Sequence, residues 1–174
     1  MMKKILMISC SVVLGMILLM NCSKLPDEGL IEKGKNYEAE EKFSEAIKNY
    51  EKLVKNYPKS PFAPEALYRA GLVYTQGLQD FNTAISTHRR VIDEYPESTF
   101  ASQCQFMIGF IYANNAADTA KARIAYNTFL QKYPSHELAP SVEWELRYLG
   151  KDINDIPELR TLDQETKAEA DGEK

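Results

Sequence analysis

The chain has 174 residues, a formal charge of −4, 44% hydrophobic and 26% charged residues. That is long enough for one domain with a proper core and ordinary for a globular protein. The mildly acidic balance offers no electrostatic footprint for DNA or RNA, so nucleic acid is excluded as a partner.

Residues 1–21 form a first unit. Lys3 and Lys4 precede an apolar run from Ile5 to Met20, the layout of a secretory signal. The run is short for a spanning helix and is broken by Ser9, Ser11 and Gly15. Leu18 to Cys22, "LLMNC", resembles the lipobox of bacterial lipoproteins, with Asn21 where that family usually has Gly, Ala or Ser. The resemblance implies that Cys22 carries a diacylglycerol and that the chain is cut before it. The alternative is an uncleaved N-terminal anchor. Both readings put the rest of the chain outside the cytoplasm, held to a membrane. Ser23 to Gly29 is read as a short tether after the lipidated cysteine.

From Leu30 onward the pattern is helical and repeated. Ser44 to Pro58 carries apolar residues at Ala46, Ile47, Tyr50, Leu53, Val54 and Tyr57, one stripe on a helix. Pro58 stops that helix, and Ser60 with Pro61 reads as the start of the next. Ala63 to Gly77 puts Leu67, Ala70, Gly71 and Tyr74 on one face. Tyr57-Pro58, Tyr95-Pro96 and Tyr133-Pro134 recur at a 38-residue interval, as do Ala46, Ala84 and Ala122, and Gly71 and Gly109. A glycine costs a helix about 1 kcal/mol. Its return suggests close approach of a neighbouring helix, with the three alanines as small partners and large rings filling the gaps. Tyr50, His88 and Tyr126 share a register, as do Tyr68, Phe106 and Trp144. A period of this length means stacked units, here two helices each over about 30–58, 61–96 and 99–134. Residues 138–149 form one more amphipathic helix that caps the open end. Cys104, aligned with Ala66 and Val142, reads as a buried apolar position. Residues 151–174 hold eight Asp/Glu against four Lys/Arg and read as an acidic, largely disordered tail, with Ile153, Ile156 and Leu159 able to lie on the cap.

Gly34, Tyr37, Ala46, Tyr50 and Pro58 resemble the Gly-x2-Tyr … Ala-x3-aromatic … Pro pattern of the tetratricopeptide repeat. The expected fold is therefore all-α, a helical-hairpin solenoid of three repeats plus a capping helix. The long repeat and "YPKSPFAPEALYRAG" look like the variant found in BamD-like envelope lipoproteins. That likeness implies a role in outer-membrane protein assembly, at the periplasmic face of the outer membrane.

No phosphate loop, nucleophile elbow, metal-ligand spacing or paired His/Asp arrangement occurs, so no enzyme activity, metal, cofactor or small-molecule substrate is expected. Repeats of this kind curve, and their first helices line the inner wall. Asn36, Tyr37, Arg69, Tyr74, Gln76, Tyr112, Asn114 and Asn115 are the candidate contacts for envelope proteins or peptides. A cell-wall coordination factor linked to the Tol-Pal system is the alternative, and an envelope hydrolase a more distant one.

Overall fold

The computed structural model describes residues 26–152 and 156, and all regular structure among them is helical. The signal-like run, Cys22 and nearly all of the acidic tail, Ile153 and Leu159 included, lie outside the described residues. Helix α1 spans Pro26–Ala39, α2 Phe43–Asn56, and α3 Ala63–Leu72, continued by a π turn over Val73–Gly77. Helix α4 spans Phe81–Glu94, α5 Thr99–Asn114, α6 Thr119–Lys132 and α7 Ala139–Tyr148. Each helix packs on its chain neighbours, and α3 also touches α5. The result is a stack of three helical hairpins, α1/α2, α3/α4 and α5/α6, with α7 laid against α6.

The first helix begins at Pro26, ahead of the expected Leu30. A proline in the first turn loses no intrahelical bond, and Asp27 and Glu28 complement the positive end of the helix. The expected tether is shortened accordingly.

The corners between hairpins repeat. Tyr57, Tyr95 and Tyr133 have φ of −134°, −135° and −131°, each pushed out of the helix by the proline after it. The N–H groups of Ser60, Ser98 and His136 then turn back to those tyrosine carbonyls at 2.9, 3.0 and 3.1 Å. The Oγ of Ser60 and of Ser98 accepts from the N–H of Phe62 and Phe100, at 3.1 and 3.2 Å. In the third corner His136 does the same work, its Nδ1 accepting from Leu138 N–H at 3.1 Å. Its Nε2 therefore carries the proton and donates to Ser102 Oγ at 3.0 Å, and Ser102 donates on to Thr99 O at 3.0 Å. The expectation that Ser60 and Pro61 open the second pair is corrected. That serine belongs to the corner turn and also donates to Asp27 Oδ2 at 2.6 Å, while α3 starts at Ala63 with Pro64 in its first turn.

The loops inside the hairpins repeat as well. Glu41, Gln79 and Ala117 all take positive φ, 57°, 55° and 51°. The next N–H, of Lys42, Asp80 or Asp118, reaches the carbonyl of Tyr37, Tyr74 or Tyr112 at 2.8 Å. Asp80 and Asp118 cap their helices by accepting from Thr83 N–H at 3.1 Å and Lys121 N–H at 3.0 Å. Lys42 has no acceptor to offer, and α2 goes without a side-chain cap. The second and third loops also hold one residue more between tyrosine and cap than the first. It is absorbed by wider turns, Leu78 N–H to Val73 O at 3.0 Å and Ala116 N–H to Ile111 O at 2.9 Å.

Within each hairpin a ring lies on a glycine. A Cβ placed on Gly34 would come within 2.2 Å of the Tyr50 ring, on Gly71 within 2.4 Å of His88, and on Gly109 within 2.4 Å of Tyr126. All three rings are fully buried. The sequence pattern sets the glycines against Ala46, Ala84 and Ala122. Their nearest neighbours are instead these rings, while the alanines are fully buried core residues on the same second helices. Cys104 is a free, buried cysteine in the same core, and burial pushes its thiol up.

His88 differs from its two counterparts. Tyr50 Oη donates to Glu38 Oε2 at 2.5 Å and Tyr126 Oη to Glu145 Oε2 at 3.4 Å. Both nitrogens of His88 are buried without a hydrogen-bond partner, beside the Tyr68 ring at 5.9 Å. Burial lowers its pKa from 6.5 to about 4. The imidazole stays neutral when folded, whereas the unfolded chain takes up a proton below pH 6.5. Stability is therefore unaffected by this group above pH 6.5 and falls as pH drops toward 4, by up to about 3 kcal/mol.

Two outcomes are expected. His88→Phe, which seats a six-membered ring as Tyr50 and Tyr126 do, removes two orphaned nitrogens; urea unfolding at pH 7 and pH 4.5 should show a gain of about 1–2 kcal/mol at pH 7 and a flatter pH dependence. Lys42→Asp, which supplies the cap present at Asp80 and Asp118, should add about 1 kcal/mol in the same measurement.

Candidate functional site

At the first end of the stack, α1, α2 and α3 share a polar cluster. Arg69 Nε holds Glu65 Oε1 at 2.9 Å and its Nη1 reaches Glu38 Oε2 at 3.4 Å. Lys35 Nζ lies 2.6 Å from Glu65. Partial burial opposes the charge on Glu65, but Lys35 and Arg69 outweigh it and hold its carboxyl below the usual range. Burial, and after it the Glu38 carboxylate, holds the Tyr50 hydroxyl far above the usual phenol range. Arg69, a candidate contact from the sequence, is thus engaged by two carboxylates and ties α1 to α3.

The other candidates do not converge. Asn36, Gln76, Asn114 and Asn115 are exposed. Tyr37, Tyr74 and Tyr112 are half-buried, and Lys42 and Lys121 stand over the rings of Tyr37 and Tyr112 at 5.9 and 5.5 Å. Gln76 lines a cavity of about 320 Å³ beside Glu38 and Phe43. Tyr74 packs against the core cluster of Ala84, Ile85, Ile108, Ile111 and Ala125. Tyr112 faces α4 and α6, in a different groove altogether. The three tyrosines thus pack against different core clusters, Tyr37 on the first and Tyr74 and Tyr112 on the second.

A groove of about 660 Å³ lies at the far end. Ala113 and Asn114 of α5, Trp144 and Tyr148 of α7, and Ile156 beyond it form its walls. Trp144 is 41% exposed and its ring lies 5.0 Å from that of Tyr148. Ile156 is 5% exposed and lies at this end of the stack, as the sequence suggested for that residue. Glu145, facing Tyr126, is raised by partial burial despite the hydrogen bond that favours its charge. The sequence places Trp144 in register with Tyr68 and Phe106, which packs it. The register holds, but among the described residues no further helix pair covers the ring.

Among the described residues, no group of three His, Cys, Asp or Glu side chains is arranged to hold a metal ion. What the geometry provides is helix surface: grooves with apolar floors and polar rims, suited to a chain segment of another protein.

A family model described as "Tetratricopeptide repeat" matches residues 29–60, 65–98 and 103–136. Among solved structures, a tetratricopeptide repeat protein from Parabacteroides merdae ATCC 43184 superposes with a TM-score of 0.54 at 19% identity. The match covers 65% of this chain and 42% of that one, so the chain spans less than half the length of that protein. At this identity the likeness shows the fold alone. No curated protein matches the sequence.

Trp144 is the sole tryptophan, so its fluorescence reports this groove alone. Iodide should quench it in the free protein, and a segment docked there should shift its emission to the blue and reduce the quenching. Emission that is already blue and unquenched in the free protein would mean the groove is closed.

Proposed function

The chain belongs to the tetratricopeptide repeat family, and from that membership we propose a non-enzymatic scaffold of the bacterial cell envelope, anchored to a membrane through Cys22. The observation that carries the scaffold reading is the stack itself. Three matched repeats bury their apolar faces on one another and leave open grooves at the far end and along the side. Such surfaces bind chain segments of other proteins.

The envelope and anchor reading is supported by the sequence. "LLMNC" supplies a lipidation site, and Ser23 comes after it in place of the Asp that retains some lipoproteins at the inner membrane. Among the described residues no helix is long and apolar enough to cross a membrane. Since α1 begins at Pro26, only Ser23, Lys24 and Leu25 separate it from Cys22. Three residues extend at most about 11 Å, so a lipid on Cys22 keeps the array against the bilayer surface. The resemblance of the 38-residue, Tyr-Pro-marked repeat to that of BamD-like envelope lipoproteins is what supports a place in outer-membrane protein assembly.

Mass spectrometry of the membrane-extracted protein tests the anchor. The expected mass is that of residues 22–174 plus acyl chains, and Cys22→Ala should persist as uncleaved precursor; normal maturation of that variant refutes lipidation. Mild crosslinking in cells and then purification tests the scaffold, with envelope proteins expected and recovery of none counting against it.

A further inference from the structure

The stack has two seams between second helices, and they are built differently. Across the first, between α2 and α4, Arg90 Nη1 bonds Glu51 Oε1 at 2.8 Å, and Arg90 Nε also holds Glu94 Oε1 at 3.2 Å. In the second seam, between α4 and α6, the repeat-equivalent positions are Arg89 for Glu51 and Thr128 for Arg90. No ion pair can form between those two. Leu67, fully buried, becomes Gln105, whose Nε2 donates to Ala125 O at 2.9 Å. Ser86 becomes Ile124, an isoleucine 67% exposed.

The second seam lacks the ion pair that bridges the first. It holds a groove of about 510 Å³ floored by Ile92, Ile108 and Ala125. Arg89, Lys121 and Lys132 stand along it, with Asp93 the one carboxylate of the lining. The groove continues along α4 into an adjoining cavity of about 340 Å³ that shares Arg89, Asp93 and Tyr112. Lys121 is held by Asp118 at 2.8 Å. Arg89 and Lys132 are exposed and form no ion pair among the described residues. In a chain of net charge −4, this is a local surplus of positive charge beside an apolar floor.

We propose that this seam is a docking groove for an acidic, amphipathic segment of a partner protein, with carboxylates on Arg89 and Lys132 and aliphatic side chains against Ile92, Ile108 and Ile124. The proposal rests on the scaffold reading and names its partner's chemistry. The features of the lining select the occupant. Two free cations call for carboxylates, and the recessed apolar strip between them calls for side chains that a nucleic-acid backbone lacks. A lipid surface is flat and does not enter a groove. The first seam supplies an internal example in the same fold: there the carboxylate of Glu51 already holds Arg90.

The test borrows that internal example. The full chain, held in neutral detergent, is used to select displayed random short peptides, and each selected peptide is measured against the double variant Arg89→Glu/Thr128→Arg. That variant recreates in the second seam the pairing of the first, with its fold checked by circular dichroism and thermal melting. The expected result is peptides rich in Asp and Glu with interspersed aliphatic residues, weakening with salt and losing about tenfold or more on the double variant. Ile124→Ser leaves every charge in place and should weaken the same peptides several-fold, which keeps the proposal testable if the double variant folds poorly. Peptides that bind all three proteins equally overturn the groove while leaving the scaffold reading intact. Recovery of no peptide overturns both. Binding of duplex DNA or of anionic phosphatidylglycerol vesicles to the parent chain alone, with no acidic peptide selected, overturns the proposal as well.

Discussion

A ring lying on bare backbone sets the spacing of the two helices in every hairpin. Tyr50, His88 and Tyr126 each occupy the place where a methyl group on Gly34, Gly71 or Gly109 would stand. Interiors packed to this density have no slack to move a buried aromatic aside. The glycine therefore gives up helix propensity for an approach that no other residue allows. Once that distance is set, the surrounding apolar residues pack into three successive core clusters, and the corners and loops have only to reverse the chain.

The repeats then differ in what surrounds the ring. At the first, a hydroxyl finds Glu38, which Arg69 also engages. At the third, the hydroxyl finds Glu145 from α7. The position that is Arg69 in one unit and Glu145 in another is Met107 in the unit between. An apolar residue there offers nothing to a hydroxyl, and His88, a ring without one, occupies the seat. The cost is two nitrogens with no partner. The same local divergence on a common frame separates the two outer seams, one bridged by Glu51 and Arg90, the other left with Arg89 and Thr128.

Much of the fold was legible because the signals that carry it are local. Tyr-Pro corners, apolar stripes and recurring glycines each act within a turn or two of helix, so period and phase survive in a single sequence. The partner of each glycine was less legible. The alanines and the rings alternate along the same second helix, and only the azimuth of packing decides which of them faces the glycine. The starts of α1 and α3 were missed for a related reason. Pro26 and Pro64 open helices, Pro58 closes one, and the residue type is the same in all three. The contact surface was least legible. Arg69 is a cation in the sequence whether or not Glu38 and Glu65 reach it, and Tyr37, Tyr74 and Tyr112 do not announce the side on which they lie. Trp144 was placed in the right register, yet its exposure depends on whether another helix pair stacks over the end of the array.

The wider turns at Val73–Gly77 and at Ile111–Ala116 have an architectural consequence. Each takes up a residue that the first hairpin lacks, between a glycine that must meet its ring and a cap that must meet its tyrosine carbonyl. Both anchor points are kept in all three hairpins. Length variation is thereby confined to a short elastic joint, and modules of unequal length can be concatenated, exchanged or duplicated without shifting the phase of the array.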